Sequence, residues 1–115
     1  MGRLSSPKAA RCFFVYLVEI LLPLSDEHRD PFPSSLFDEI ADRLTRMYGG
    51  VTSFIRSPAE GRWHDAGQTE HDEIVVVEVM IQDLDRAWWK SFRKELERQF
   101  RQDEIVIRCH GIEKL

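Results

Sequence analysis

The chain has 115 residues, 43% hydrophobic and 31% charged, with a formal net charge of −4. That length holds one domain around one core, and the balance excludes a disordered chain. The acidic excess argues against a sequence-independent nucleic-acid binder, which needs a basic surface to displace counterions. Two cysteines, Cys12 and Cys109, are too few for a disulfide framework, so a reducing, cytoplasmic setting is expected.

The chain starts with the basic stretch MGRLSSPKAAR, followed by apolar residues in the outline of a secretion signal. Glu19 interrupts the apolar run, no small-x-small cleavage site follows, and the run is too short for a membrane span, which needs roughly 20 apolar residues. We therefore read residues 1–12 as a flexible tail, residues 13–115 as a single domain, and expect no membrane partner. Residues 13–22, FFVYLVEILL, read as a central strand covered on both faces, closed by Pro23. LSDEHRDPFP is a polar, proline-bearing connection.

Ser34 or Ser35 is placed to cap a helix, with Asp38 and Glu39 in its first turn. Phe37, Ile40, Ala41, Leu44 and Met47 or Tyr48 recur at helical spacing, and Gly49-Gly50 stop it. VTSFIR, 51–56, reads as a short strand, and residues 57–72 as a long hairpin loop. EIVVVEVMIQ, 73–82, is a second buried strand. Asp83 or Asp85 starts a second helix on Trp88 or Trp89, Phe92, Leu96 and Phe100. Its charged residues form a solvated face with pairs such as Glu97–Arg101. EIVIRCHGI, 104–112, is the last strand. The order βαββαβ predicts an α+β, ferredoxin-like two-layer sandwich: an antiparallel four-stranded sheet, first and third strands central, both helices on one face.

Side chains alternate along a strand, so the faces separate. Tyr16, Val18, Ile20, Val75, Val77, Val79, Ile105, Ile107 and Cys109 are assigned beneath the helices, where Cys109 is expected as a partly buried thiol. The opposite face carries Val15, Leu17, Val76 and Met80. Within it lie Glu19 and Glu78 on adjacent strands and Arg108 and His110 beside Glu19, with Arg56 joining if the second strand's register allows. Such an apolar face calls for a cover, and a sheet-to-sheet homodimer is the simplest. The charged cluster is either an ion-pair network that fixes that dimer or a site for a small polar ligand.

In the long loop, Trp63 is expected to fasten the loop to a sheet edge or to a partner. His64 and His71 lie among acids, but their spacing matches no closed metal site; no metal and no cofactor is expected. Gly49-Gly50-Val51-Thr52, Gly61-Arg62-Trp63 and Gln102-Asp103-Glu104-Ile105-Val106 together resemble a family of short bacterial proteins without an assigned function. The resemblance spans roughly residues 13–112. It implies the ferredoxin-like fold and supplies no catalytic residue.

The chain lacks asparagine, which removes the arginine–asparagine pair of acylphosphatases, and lacks Cys-x-x-Cys, which removes copper-chaperone and cluster-binding types. The third strand has no aromatics on which to stack bases. The sequence thus points to a small homodimeric ligand-binding or regulatory module that uses the open face and the 57–72 loop. The candidate residues are Glu19, Glu78, Arg108, His110, Arg56 and Trp63. The alternative is a cofactor-independent enzyme of the dimeric α+β barrel type, with His110, Glu19 or Glu78 as proton carrier.

Overall fold

The computed structural model describes residues 14–56 and 73–115. The elements run β1 (Phe14–Pro23), α1 (Ser34–Tyr48), β2 (Thr52–Arg56), β3 (Ile74–Ile81), α2 (Arg86–Gln99) and β4 (Val106–Glu113). The strands form one antiparallel sheet in the order β2-β3-β1-β4. This is the α+β, ferredoxin-like arrangement, with β1 and β3 central.

The core forms where the strand and helix periodicities meet. Val18, Ile20 and Leu22 of β1 and Val75, Val77, Val79 and Ile81 of β3 alternate onto one face. Ile40 and Leu44 of α1 and Trp89, Phe92 and Leu96 of α2 close over them. Phe100 caps one end of this core, edge-on to Phe32 with ring centroids 4.9 Å apart. Of the neighbouring tryptophans, Trp89 enters the core, whereas Trp88 stays half-buried at the helix edge and stacks on Phe92 at 4.9 Å. Arg43 of α1 joins the two helices, donating to Glu95 at 2.8 Å.

The helix ends show which local rules operate. Gly49 takes the left-handed conformation (φ 98°) and its N–H donates to the Thr45 carbonyl at 2.7 Å, which ends α1 as expected. At its start the expectation fails. Pro33 is the N-cap, no side chain caps the helix, and no acid lies in its first turn. Proline holds the extended entry conformation without a polar group, so the helix begins at Ser34 and Asp38 and Glu39 fall later. At α2, Asp85 caps and accepts from the Trp88 N–H at 3.1 Å. Glu97 forms an ion pair with Arg93 at 3.5 Å and accepts from the Ile105 N–H at 3.0 Å. Arg101 lies beyond the helix with φ 52° and reaches Asp26 at 3.8 Å, so the expected Glu97–Arg101 pair is replaced by partners on either side.

Cys109 is exposed, a correction to its expected burial. It occupies the core-facing phase of β4, opposite Val18. The core contacts of β4 come from its beginning, where Ile107 packs against the cluster that holds Ile105; beyond Arg108 the edge strand is exposed apart from Ile112.

Candidate functional site on the open sheet face

Strand register decides what stands together on the face turned away from the helices. Glu78 of β3 pairs with Thr52 on one side and Glu19 on the other, and Glu19 pairs in turn with Arg108. Thr52, Glu78, Glu19 and Arg108 therefore form one polar row across all four strands. The rows on either side are mostly apolar: Phe54, Val76, Leu21 and Val106 below, Met80, Leu17 and His110 above.

Three of the six residues singled out from the sequence, Glu19, Glu78 and Arg108, are thus brought into line, with His110 one row away. Arg56 is not. It pairs with Ile74, four residues along β2 from Thr52, or about 13 Å at strand rise. The place opposite Glu78 belongs to Thr52, which sequence reasoning missed because alternation gives the face of a residue and not its row. Trp63, His64, His71 and Cys12 lie outside the described residues. Among the described residues no three His, Cys, Asp or Glu side chains are placed to hold a metal ion, and no helix is long and apolar enough to cross a membrane.

The row is electrostatically lopsided. Arg108 donates from Nε to Glu19 Oε1 at 2.8 Å, with the Glu19 side chain 16% exposed and that of Arg108 51%. This hydrogen bond holds the Glu19 carboxyl below its ordinary pKa. Burial opposes the shift, while the charges of Arg108 and His110 and a side-chain hydrogen bond with Glu78 add to the lowering. The positive groups stand on β4. Glu78 is half-buried one strand further from them, paired on its other side with Thr52.

The face is less bare than its composition suggests. Val76 is 1% exposed and Val15 8% within a single chain, and Leu17 is half-buried. Its exposed large apolar side chains are Phe54, Met80 and Val106.

Below the row, a cleft of about 1190 Å³ opens at the end of the sheet where β1 stops and β4 starts. Leu21, Pro23, Ile74 and Val106 supply its apolar sheet residues. One wall is the connection after β1, a tight turn built on Asp26. Its Oδ1 accepts from the N–H groups of His28 at 2.8 Å and Asp30 at 2.9 Å. These bonds, together with nearby His28 and Arg101, outweigh burial and hold the Asp26 carboxyl below its ordinary value. Arg29 is forced to φ 68° at the tip. The other wall is the segment from Arg101 to Ile105, with the Arg101 guanidinium 5.5 Å above the Phe32 ring. An apolar floor with polar walls, beginning one row from three ionisable groups, is the usual build of a small-molecule site. No signal in the sequence placed the 24–29 turn beside the sheet face.

No family model matches the chain, and no curated protein matches it. Among solved structures, a phage SAM lyase in complex with S-methyl-5′-thioadenosine superposes with a TM-score of 0.58, over 100% of this chain and 91% of that chain, at 14% identity. At that identity the likeness establishes the fold.

Proposed function

We propose that the chain is a small ligand-binding module whose ligand lies on the open face of the sheet, its polar end on the Glu78–Glu19–Arg108 row and its body over the adjoining cleft. The observation that carries this reading is the polar row, set on a mostly apolar face and bordering the cleft. Two carboxylates face one arginine there, so the row suits a ligand that brings positive charge. The ligand of the structural neighbour, a thioadenosine, and that enzyme's SAM substrate class make adenosyl sulfur compounds the first to test. A homodimer that covers Phe54, Met80 and Val106 belongs to the same reading.

A second reading, catalysis, has one observation in its favour. Glu19 and Glu78 stand directly opposite each other in different surroundings, the arrangement that gives one carboxyl a fixed charge and leaves the other to move protons. Product analysis by chromatography after incubation with S-adenosylmethionine distinguishes turnover from binding.

Thermal shift and calorimetry with S-adenosylmethionine and S-methyl-5′-thioadenosine test the site. A ligand at 100 times its Kd stabilises the fold by about 2.7 kcal/mol. With S-adenosylmethionine, that shift is expected in the native chain and not in a Glu19→Gln, Glu78→Gln double variant. Equal shifts in both chains with S-adenosylmethionine, or none in the native chain with either compound at millimolar concentration, overturn the proposal. Light scattering at rising concentration reports the dimer.

A further inference from the structure

We infer that the two carboxyls of the row have separate tasks: Glu78 receives the positive charge of the ligand, and Glu19, held by Arg108, is a positioning residue. This rests on the binding site proposed above and adds the residue and the charge by which it selects.

Three observations lead to it. First, Glu19 is already engaged. One of its oxygens accepts from Arg108 at 2.8 Å and its side chain is largely covered, so a cation arriving there displaces or crowds an arginine. Second, Glu78 has no positively charged side chain in register with it. Its two cross-strand neighbours are Thr52 and Glu19, the latter also its side-chain hydrogen-bond partner, and Arg56 on β2 is four residues removed from the row. Among the described residues it makes no ion pair, and it is half-buried, where an uncompensated charge is costly. Third, the row has a direction. Arg108 and neighbouring His110 stand on the β4 side, and the second carboxyl stands on the β3 side, in register with Thr52. A cation enters on Glu78, with Thr52 offering an oxygen and Glu19 a second negative charge one strand away, while Arg108 stays turned from it. Sulfonium and ammonium groups, which carry charge without an acceptor, fit this end of the row. A carboxylate or phosphate does not.

The experiment compares two ligands that share the adenosyl body and differ in charge. S-adenosylmethionine carries a sulfonium and an ammonium against one carboxylate; S-methyl-5′-thioadenosine is a neutral thioether. Affinities are measured by calorimetry on the native chain and on Glu78→Gln, Glu78→Asp and Glu19→Gln, with circular dichroism melts to confirm folding. The native chain should prefer the cation by roughly ten- to hundredfold, the range of a hydrogen bond to a charged group. Glu78→Gln should lose that preference while keeping its affinity for the thioether. Glu78→Asp, which keeps the charge, and Glu19→Gln should retain most of it. A preference that survives in Glu78→Gln, or that Glu19→Gln abolishes as fully, overturns the assignment. If the native chain binds both ligands equally, the site stands and its charge selection falls; if it binds neither, the site itself is refuted.

Discussion

Replacing Arg108 by methionine tests the electrostatics of the row without any ligand. Methionine keeps most of the side-chain length and removes the charge. The Glu19 carboxylate then loses its 2.8 Å donor and faces Glu78 across one strand pair, with only His110 nearby to offset it. Side chains directly opposite in an antiparallel pair stand about 5 Å apart. At that distance two like charges repel by about 0.8 kcal/mol in bulk water and about 3 kcal/mol at the effective dielectric of 20 typical near a protein surface. Glu19 is mostly covered and Arg108 half-exposed, so the cost lies between these bounds, at about 2 kcal/mol. For a domain of this size, that is a drop in Tm of about 8 °C. Urea denaturation of the native chain, Arg108→Met, Glu78→Gln and the double variant completes the cycle. Glu78→Gln should be neutral to stabilising alone and should restore at least half of what Arg108→Met removes. If Arg108→Met lies within about 0.5 kcal/mol of the native chain, the range of an ordinary surface substitution, or if Glu78→Gln restores nothing, the row is not electrostatically coupled and the reasoning fails.

Other outcomes follow from the same geometry. The Glu19 pKa is lowered from its ordinary 4.5, so its stabilisation is complete above that value and lost as pH falls through the lower folded-state value. Acid titrations followed by circular dichroism should show Glu19→Gln less sensitive to pH below 4.5 than the native chain. Leu96 is 0% exposed, and Leu96→Ala should cost about 2–5 kcal/mol in urea denaturation. Gly49→Ala meets no neighbour within 4 Å but must hold φ 98°, so its cost is conformational alone, about 1 kcal/mol, and is read as a lower Tm with an unchanged m-value.

Much of the fold was legible because its signals are local. Apolar runs broken by single acids marked β1 and β3, Gly49 ended α1, and Asp85 began α2; each depends on residues within a few positions. Alternation likewise placed Glu19 and Glu78 on one face with Arg108. Longer-range features were not legible. Register along β2 is set by the pairing of β2 with β3, so Thr52 and Arg56 were indistinguishable as neighbours of Glu78 until the pairing was known. The exposure of Cys109 depends on how far the core extends along an edge strand, which no window of sequence states. The turn on Asp26 looked like a plain connection, and only its folding beside Leu21 and Val106 makes it the wall of a cleft. The Pro33 cap shows a strong local preference, serine before a helix, yielding to a neighbour whose backbone was already set.

The row also constrains how a second copy can sit. An isologous interface brings the same patch of two subunits together. A twofold packing of sheet on sheet centred on the row would gather two Glu19 and two Glu78 side chains around two Arg108, with more negative charge than positive in a space closed to water. Burying uncompensated charge costs several kcal/mol per group, which a few exposed apolar side chains do not offset. The homodimer proposed on this face then has two ways out: the twofold axis is displaced toward Phe54 and Met80 and leaves the row at the rim, or the row is centred and a cation neutralises it. In the first case, dimerisation is independent of ligand and of Glu78. In the second, S-adenosylmethionine tightens the dimer and Glu78→Gln tightens it without ligand, because the substitution removes the same charge that the cation offsets. Sedimentation equilibrium of the native and Glu78→Gln chains, with and without ligand, tells the two apart. An association constant unmoved by all three changes excludes the centred packing and leaves the row open to solvent for a ligand to enter.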